Sequence, residues 1–434
     1  MKQRIGIWTL VFCLTLMLAG CASDNGEGQD AAYGSGEVQN ASADTGDAQG
    51  DTALEESIEE DSAAEVPDPV PAHTDYVTEE MYQRAISFQQ GDLSRLAAVM
   101  RKAQAGEEIT VGVIGGSITE GYSANKKENS YASLMHNWWQ ERFPDVTVQY
   151  VNAGIGGTSS YLGVHRVQKE LLEEEPDFVI VEFSVNDGNN IFYKISYDNL
   201  LRRILMDENQ PALMLLFTTQ EDGTNAQVND ALLGFGYGLP MISYGNAVLP
   251  AIDAGEFTWK DISPDNIHPN DRGHAIIGEL IYRYLNDVYA RLEEIPEEIP
   301  PFTADVQTKE RYMNGQILDG ASLTPVSEGS FTEKVENWYF PYNNYWHTKG
   351  GDEAIAFDIE AANIGILYQR DVNDAYGMFD IYIDGEHVRT LNGNFVNGWG
   401  NSMAEEEIYV SEEAAMHRVE VRKNPDSDGD LFTV

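Results

Sequence analysis

The apolar positions fall into blocks with different periods. From about residue 85 to 295, short apolar runs alternate with stretches of helical spacing. Ile109–Ile114, Phe178–Phe183 (broken only by Glu182), Ala212–Phe217 and the shorter Leu239–Ser243 read as buried strands, and Val146–Val151 alternates like a strand. Between them Asp92–Gln104, Ser130–Phe143, Leu162–Leu172, Asn199–Met206, Asn225–Leu233 and His274–Leu292 predict helices. This alternation predicts an α/β fold, a mostly parallel sheet with helices on both faces. Ligands of such a fold lie beyond the C-terminal ends of the strands. The run Ile295–Pro301 is a linker, and the period then changes. Ala354–Ile359, Asn363–Gln369, Met378–Ile383, His387–Leu391, Glu407–Val410 and His417–Val421 predict short strands, with Asp384-Gly385 as a hairpin turn and a further strand begun at Leu431. An antiparallel β-sandwich is expected there, jelly-roll-like in class.

The start of the chain adds an address. A basic Met1–Arg4 precedes an apolar Ile5–Leu18, too short to span a bilayer as a stable helix, and small residues follow. This reads as a secretory signal over residues 1–20. Its ending, Leu18-Ala19-Gly20-Cys21, resembles a bacterial lipobox, which implies that Cys21 carries the lipid and opens the mature chain. Cys13, the only other cysteine, would leave with the signal, so the exported protein has no disulfide available and must rely on core burial. Residues 21–75 are rich in Gly, Ala, Ser, Asp, Glu and Gln and hold no Lys or Arg, the composition of a disordered acidic tether. A formal net charge of -45 argues against nucleic acid and against adsorption to anionic lipid; a neutral polysaccharide fits better. Contact with a membrane is expected through the lipid anchor alone, at the cell surface or the extracytoplasmic face. The folded parts are then an α/β domain over 76–297 and a β-sandwich over 298–434.

The first strand stops at Gly115-Gly116, and Ser117 follows at once. Two glycines permit a sharp turn at a strand end, where a serine hydroxyl is presented as a nucleophile; the same serine would also serve as a helix N-cap. Asp265 and His268 stand three residues apart in a loop. That spacing lets a carboxylate orient one imidazole nitrogen and leave the other free to act as a base. Asp261 is the alternative orienter.

Four segments carry a family resemblance: Gly116-Ser117-Ile118-Thr119-Glu120-Gly121, Asn152-Ala153-Gly154-Ile155-Gly156-Gly157, Ser184-Val185-Asn186-Asp187 and Asp265-Asn266-Ile267-His268. In this order they resemble the conserved blocks of SGNH (GDSL-type) hydrolases, which implies a flavodoxin-like three-layer α/β/α fold over about residues 80 to 295. The resemblance implies Ser117 as nucleophile, His268 as general base and Asp265 as its orienter. It also implies an oxyanion hole from the Ser117 N–H, Gly154 and Asn186. No metal or other cofactor is implied, and no His/Asp/Glu cluster has metal-ligand spacing. Gly116 stands where the family usually has Asp, and Ser184 where it has Gly. The first change should leave the chemistry intact; the second is expected to narrow acyl access. Asp187 reads as a turn or cap carboxylate, His136 and His165 as structural, and His274 as part of a helix start. The Gly154–Gly157 run lacks the lysine and spacing of a phosphate loop.

The β-sandwich resembles those appended to bacterial SGNH carbohydrate esterases. Its aromatics, Trp338, Tyr339, Tyr342, Tyr345, Trp346 and Trp399, serve either as core or as a sugar-stacking surface that walls the ester site. The expected activity is hydrolysis of O-acetyl esters on a polysaccharide through an acyl-enzyme, as in acetyl xylan esterases. A lysophospholipase or short-chain lipid esterase, and a non-catalytic glycan-binding protein, are the alternatives.

Overall fold

A computed structural model describes residues 74–88, 90–302, 305–335 and 344–434. The signal sequence with Cys21, nearly all of the tether, and Trp338, Tyr339 and Tyr342 lie outside the described residues.

The first part contains helices α1 (Glu79–Ala85), α2 (Ser94–Gln104), α3 (Ser117–Glu120), α4 (Tyr131–Arg142), α5 (Ser160–Glu170), α6 (Ile191–Leu205), α7 (Gln227–Tyr237), α8 (Tyr244–Asp253), α9 (Trp259–Ile262) and α10 (Asp271–Ala290). They surround strands β1 (Ile109–Gly115), β2 (Val148–Gly154), β3 (Phe178–Glu182), β4 (Ala212–Phe217) and β5 (Met241–Ser243). The sheet order is β2-β1-β3-β4-β5 and every pairing is parallel. β1, β3, β4 and β5 are mostly apolar because both faces are covered, whereas the edge strand β2 exposes Gln149 and Asn152. Phe178, Ile180, Ala212, Met214 and Leu216 enter the core shared with α2, α4, α8 and α10; Val179, Val181, Leu213, Leu215 and Phe217 enter the core shared with α5, α6 and α7. The chain leaves β1 toward β2 on one side and returns to β3 on the other. The crevice of this topological switch lies at the C-terminal ends of β1 and β3.

Helix α6 starts well before the expected Asn199, because the Asn190 side chain accepts the N–H groups of Phe192 and Tyr193 and caps it. Helix α8, with Pro250 inside it, was not expected.

The β-rich part consists of β6 (Thr332–Val335), β7 (Asn344–Lys349), β8 (Ile355–Arg370), β9 (Met378–Ile383), β10 (Glu386–Asn392), β11 (Ser402–Lys423) and β12 (Leu431–Thr433). They form antiparallel sheets of order β10-β9-β11-β8 and β12-β7-β6 around one core that includes Trp346, Phe357, Phe379, Val419 and Phe432. Four of the expected short strands are halves of two long ones, β8 and β11. The apparent break in β11 is a register shift in the ladder between Val410 and Ala415, and a second shift lies between Glu407 and Tyr409. The Asp384-Gly385 hairpin turn is present, both residues at positive φ.

The strands begin later than residue 298 because the segment before them packs on the helices. Phe302 meets Tyr237, and Tyr312 is buried among Tyr161 and His165. Arg202 also reaches Glu310 at 2.6 Å.

Candidate active site

β1 delivers the serine. A Cβ on Gly115 would lie 2.1 Å from Thr119 Oγ1 and 2.3 Å from the Glu182 carbonyl, so only glycine lets α3 fold back over the strand end. Ser117 opens α3 and is 8% exposed; Gly121, at φ +95°, ends the helix. The loop before α10 delivers the histidine. Asp265 Oδ1 accepts the N–H groups of Ile267 at 2.8 Å and His268 at 2.7 Å. Its carbonyl is held by Trp259 Nε1–H at 2.6 Å, and Ser263 Oγ–H binds the His268 carbonyl at 2.7 Å.

The three side chains stand in one line. His268 Nδ1 is 2.9 Å from Asp265 Oδ2, and His268 Nε2 is 2.9 Å from Ser117 Oγ. A carboxylate only accepts, so the proton sits on Nδ1 and leaves Nε2 to accept from the serine hydroxyl. Partial burial opposes the charge on Asp265, yet the hydrogen bonds from His268 and Ile267 outweigh it and hold the carboxyl below its usual range. The Tyr122 ring rests on the imidazole, centroids 4.5 Å apart. Nothing in the sequence had marked Tyr122 for this contact, although it follows directly on the block that holds Ser117.

Asn186 follows β3 and reaches Gly116. A Cβ there would be 2.2 Å from Asn186 Oδ1 and 2.9 Å from Nδ2, so a larger residue at this position requires the Asn186 carboxamide to move. Asn186 Oδ1 is enclosed without a partner, while Nδ2 has no hydrogen-bond partner among the described residues.

The expectation for Gly154 needs correction. It pairs with Gly115 at the end of β2, but its N–H donates to Asn152 Oδ1 at 2.8 Å and is not an open donor. An asparagine two residues before an amide is the signal for such a local turn. Two amides on this loop, those of Gly157, in the left-handed region at φ +73°, and of Thr158, have no hydrogen-bond partner among the described residues. Arg166, 1% exposed, fastens the two strand ends by donating to the carbonyls of Ala153 at 2.6 Å and Gly115 at 3.0 Å.

Ser184 also differs from expectation. It is wholly buried, its hydroxyl donates to the Thr218 carbonyl at 3.1 Å and accepts the Thr218 N–H at 2.7 Å, so it joins β3 to β4 and does not narrow the site. Asp261 caps α9 in a capping box with Thr258 and does not orient His268. Asp187 accepts the N–H of Ser160 at the start of α5; burial, only partly offset by Ser160, pushes its carboxyl up to about 8. His136 and His165 bond to the Val148 and Tyr161 carbonyls. His274, fully buried and lowered by that burial to about 4, accepts the Tyr131 N–H through Nδ1 and faces the Tyr122 carbonyl through Nε2.

In the β-rich part Trp346 is core and Trp399 is exposed. A Cβ on Gly157 would lie 3.8 Å from Trp399, so this indole stands over the loop beside the serine. A cavity of about 1000 Å³ lies elsewhere, between α5, the segment around Tyr312 and the long strands. Among the described residues no cluster of three His, Cys, Asp or Glu could hold a metal ion.

The five-stranded parallel sheet, with Ser117 after β1 and Asp265 and His268 in the loop before α10, has the arrangement of an SGNH-type α/β hydrolase. The chain belongs to the GDSL-like lipase/acylhydrolase family, whose model matches residues 113–276. It is similar along 81% of its length to a two-domain esterase active on acetylated mannans, with 32% identity, a TM-score of 0.75 and 96% of that chain covered; that esterase was co-crystallised with mannopentaose. It is 30% identical over 112 residues, 26% of this chain and 51% of the relative, to thioesterase 1/protease 1/lysophospholipase L1 of Escherichia coli K12. It is 31% identical over 115 residues, 26% of this chain and 55% of the relative, to an arylesterase of Vibrio mimicus. The chain thus spans about half the length of these curated relatives.

Proposed function

We propose that the protein is a serine esterase that removes O-acetyl groups from a neutral polysaccharide, with acetylated mannan the first substrate to try. The observation that carries this is the unbroken line from Asp265 through His268 to Ser117 Oγ. His268 Nε2 takes the hydroxyl proton as Oγ attacks the acetyl carbonyl. The resulting oxyanion is received by the Ser117 N–H, the Asn186 Nδ2 amide and the open Gly157 N–H. When the tetrahedral adduct collapses, the proton on Nε2 passes to the departing sugar hydroxyl, leaving an acetyl-serine. Water, deprotonated by the same nitrogen, releases acetate and restores the serine.

Support for the glycan comes from the similarity to the mannan esterase along most of the chain and from Trp399, whose exposed ring suits a sugar face. Export and lipid anchoring at Cys21 belong to the same reading and rest on Leu18–Cys21. Acetate release from acetylated mannan and acetylated xylan, wild type beside Ser117→Ala, tests it. Release abolished in the variant supports the reading. Activity only on lysophospholipid would favour the lipid esterase. Silence on both glycans, on lysophospholipid and on an aryl acetate would leave a binding protein.

A further inference from the structure

The loop that follows β2 is clamped from outside the α/β part. Helix α5 begins at Ser160 with Ser159 as its N-cap, and Ser159 donates twice to one atom of β11: its N–H to Glu405 Oε1 at 3.1 Å and its Oγ–H to the same oxygen at 2.7 Å. One residue on, the Ser160 N–H donates to Asp187, the neighbour of Asn186, at 2.9 Å. On the other side the Gly156 N–H donates to Glu120 Oε2 at 2.8 Å, on the short helix that carries Ser117. Apolar contacts run in parallel: Leu162 and Met403 pack together with Ile155 and Leu367. The fit is close, because a Cβ on Gly365 of β8 would lie 2.3 Å from Tyr161 Oη. Residues 155–162 are therefore seated on the β8–β11 face. The open Gly157 amide lies within that span, and Asn186 is tied to it through Asp187.

We propose that Glu405, a residue of the β-rich part, is a positioning residue for the oxyanion donors: through Ser159 it fixes the loop bearing the Gly157 amide and, through Ser160 and Asp187, its alignment with Asn186. This rests on the esterase reading above, and it gives the β-rich part a role in turnover that is separate from holding glycan. Glu405 touches no reacting atom. A donor shifted by a fraction of an ångström stabilises the oxyanion less, while the ground-state ester is bound nearly as before.

The test is steady-state hydrolysis of an aryl acetate by the full chain, with active sites titrated by a serine-directed phosphonate. Glu405→Ala should lower kcat about tenfold or more and leave KM within about twofold. Glu405→Gln keeps an oxygen for Ser159 and should recover most of kcat. A kcat in Glu405→Ala equal to wild type overturns the proposal, as does an equal loss in both variants. If Glu405→Ala yields no folded protein, Ser159→Ala, which keeps the N–H bond to Glu405 and removes the Oγ–H bond together with the cap on the Tyr161 N–H, should show a smaller fall in kcat at unchanged KM; no fall overturns the proposal. A wild type inert toward the aryl acetate and toward the phosphonate overturns the esterase reading and this proposal together. An active wild type whose Glu405 and Ser159 variants match it overturns this proposal alone.

Discussion

Two aspartate–histidine pairs in this molecule look alike and differ in one atom's neighbour. In the α/β part, Asp265 takes the Nδ1–H of His268 at 2.9 Å and a backbone N–H beside it, and a tyrosine ring leans on the imidazole at 4.5 Å. In the β-rich part, Asp384 takes the Nδ1–H of His417 at 2.7 Å and the Arg418 N–H at 2.9 Å, with the Tyr409 ring also 4.5 Å away. His268 Nε2 faces Ser117 Oγ, whereas His417 Nε2 is enclosed with no partner. One carboxylate–imidazole pair is built within a single loop, the other between the β9–β10 turn and β11, and neither needs the parallel sheet. The chemistry comes from the sheet, which brings in a hydroxyl from 151 residues away.

Breaking the long-range half of that comparison should have the largest effect. Ser117→Ala should lower ester hydrolysis about 10⁵-fold or more and abolish phosphonate labelling, with the fold retained by circular dichroism. Asp265→Asn comes next. An amide in place of the carboxylate can present its NH₂ to Nδ1, which then accepts and puts the imidazole proton on the nitrogen facing Ser117. A fall in kcat of about 10⁴ is expected, measured as initial rates with an aryl acetate. Asp261→Asn, at the cap of α9, should leave the rate unchanged; a large loss there would reinstate Asp261 as the orienter.

Asn186→Ala removes a donor that matters mainly after attack, so kcat should fall about 10²–10³-fold with little change in KM. Gly116→Ala should mimic it in part, because the added methyl displaces the Asn186 carboxamide. A change confined to KM in either variant would remove Asn186 from the oxyanion hole. His417→Gln completes the series from the other pair. Activity should stay within about twofold of wild type while the unfolding midpoint drops by a few degrees. Loss of activity at an unchanged midpoint would mean that the second pair is not merely structural.

The legibility of these features follows the same division. Strands buried on both faces are unbroken apolar runs, so the sheet and the polar segments after β1, β2 and β3 could be read directly. Asp265 and His268 could be read because their geometry is set within one loop. The β-rich part was harder, since β8 and β11 carry polar residues where they face the α/β part. Glu405 falls outside the strand expected from Glu407 onward, yet it lies in β11 and seats Ser159, and Glu407 accepts the Tyr312 hydroxyl. The fate of the Gly154 amide and the wholly buried hydroxyl of Ser184 depend on which neighbour arrives first, and periodicity carries no such information. Glu182 is of the same kind: it reads as a lone polar interruption of β3.

Glu182 supplies the smallest effect and the most specific one. Its carboxylate is wholly buried at the end of β3, where it accepts Thr119 Oγ1–H at 3.0 Å and Thr218 Oγ1–H at 2.6 Å. Burial pushes its pKa from 4.5 up to about 7, against the lowering pull of those hydroxyls. Between these two values the folded protein holds a proton that the unfolded chain has released. By linkage the Glu182 contribution to stability therefore falls as pH rises from about 4.5 to 7 and levels off above that. Glu182→Gln keeps the shape and cannot titrate, so the unfolding midpoint of the variant should gain on wild type across this window and then run parallel to it. Asp187 and Asp230, also buried and raised, titrate in both proteins; their burial, the first cause of each shift, is common to both and drops out of the difference, while the Glu182 charge adds a lesser share that only the wild type has. Midpoints measured from pH 4.5 to 8 decide the matter: parallel curves throughout would mean that Glu182 is ionised over the whole range and that the two hydroxyls outweigh its burial.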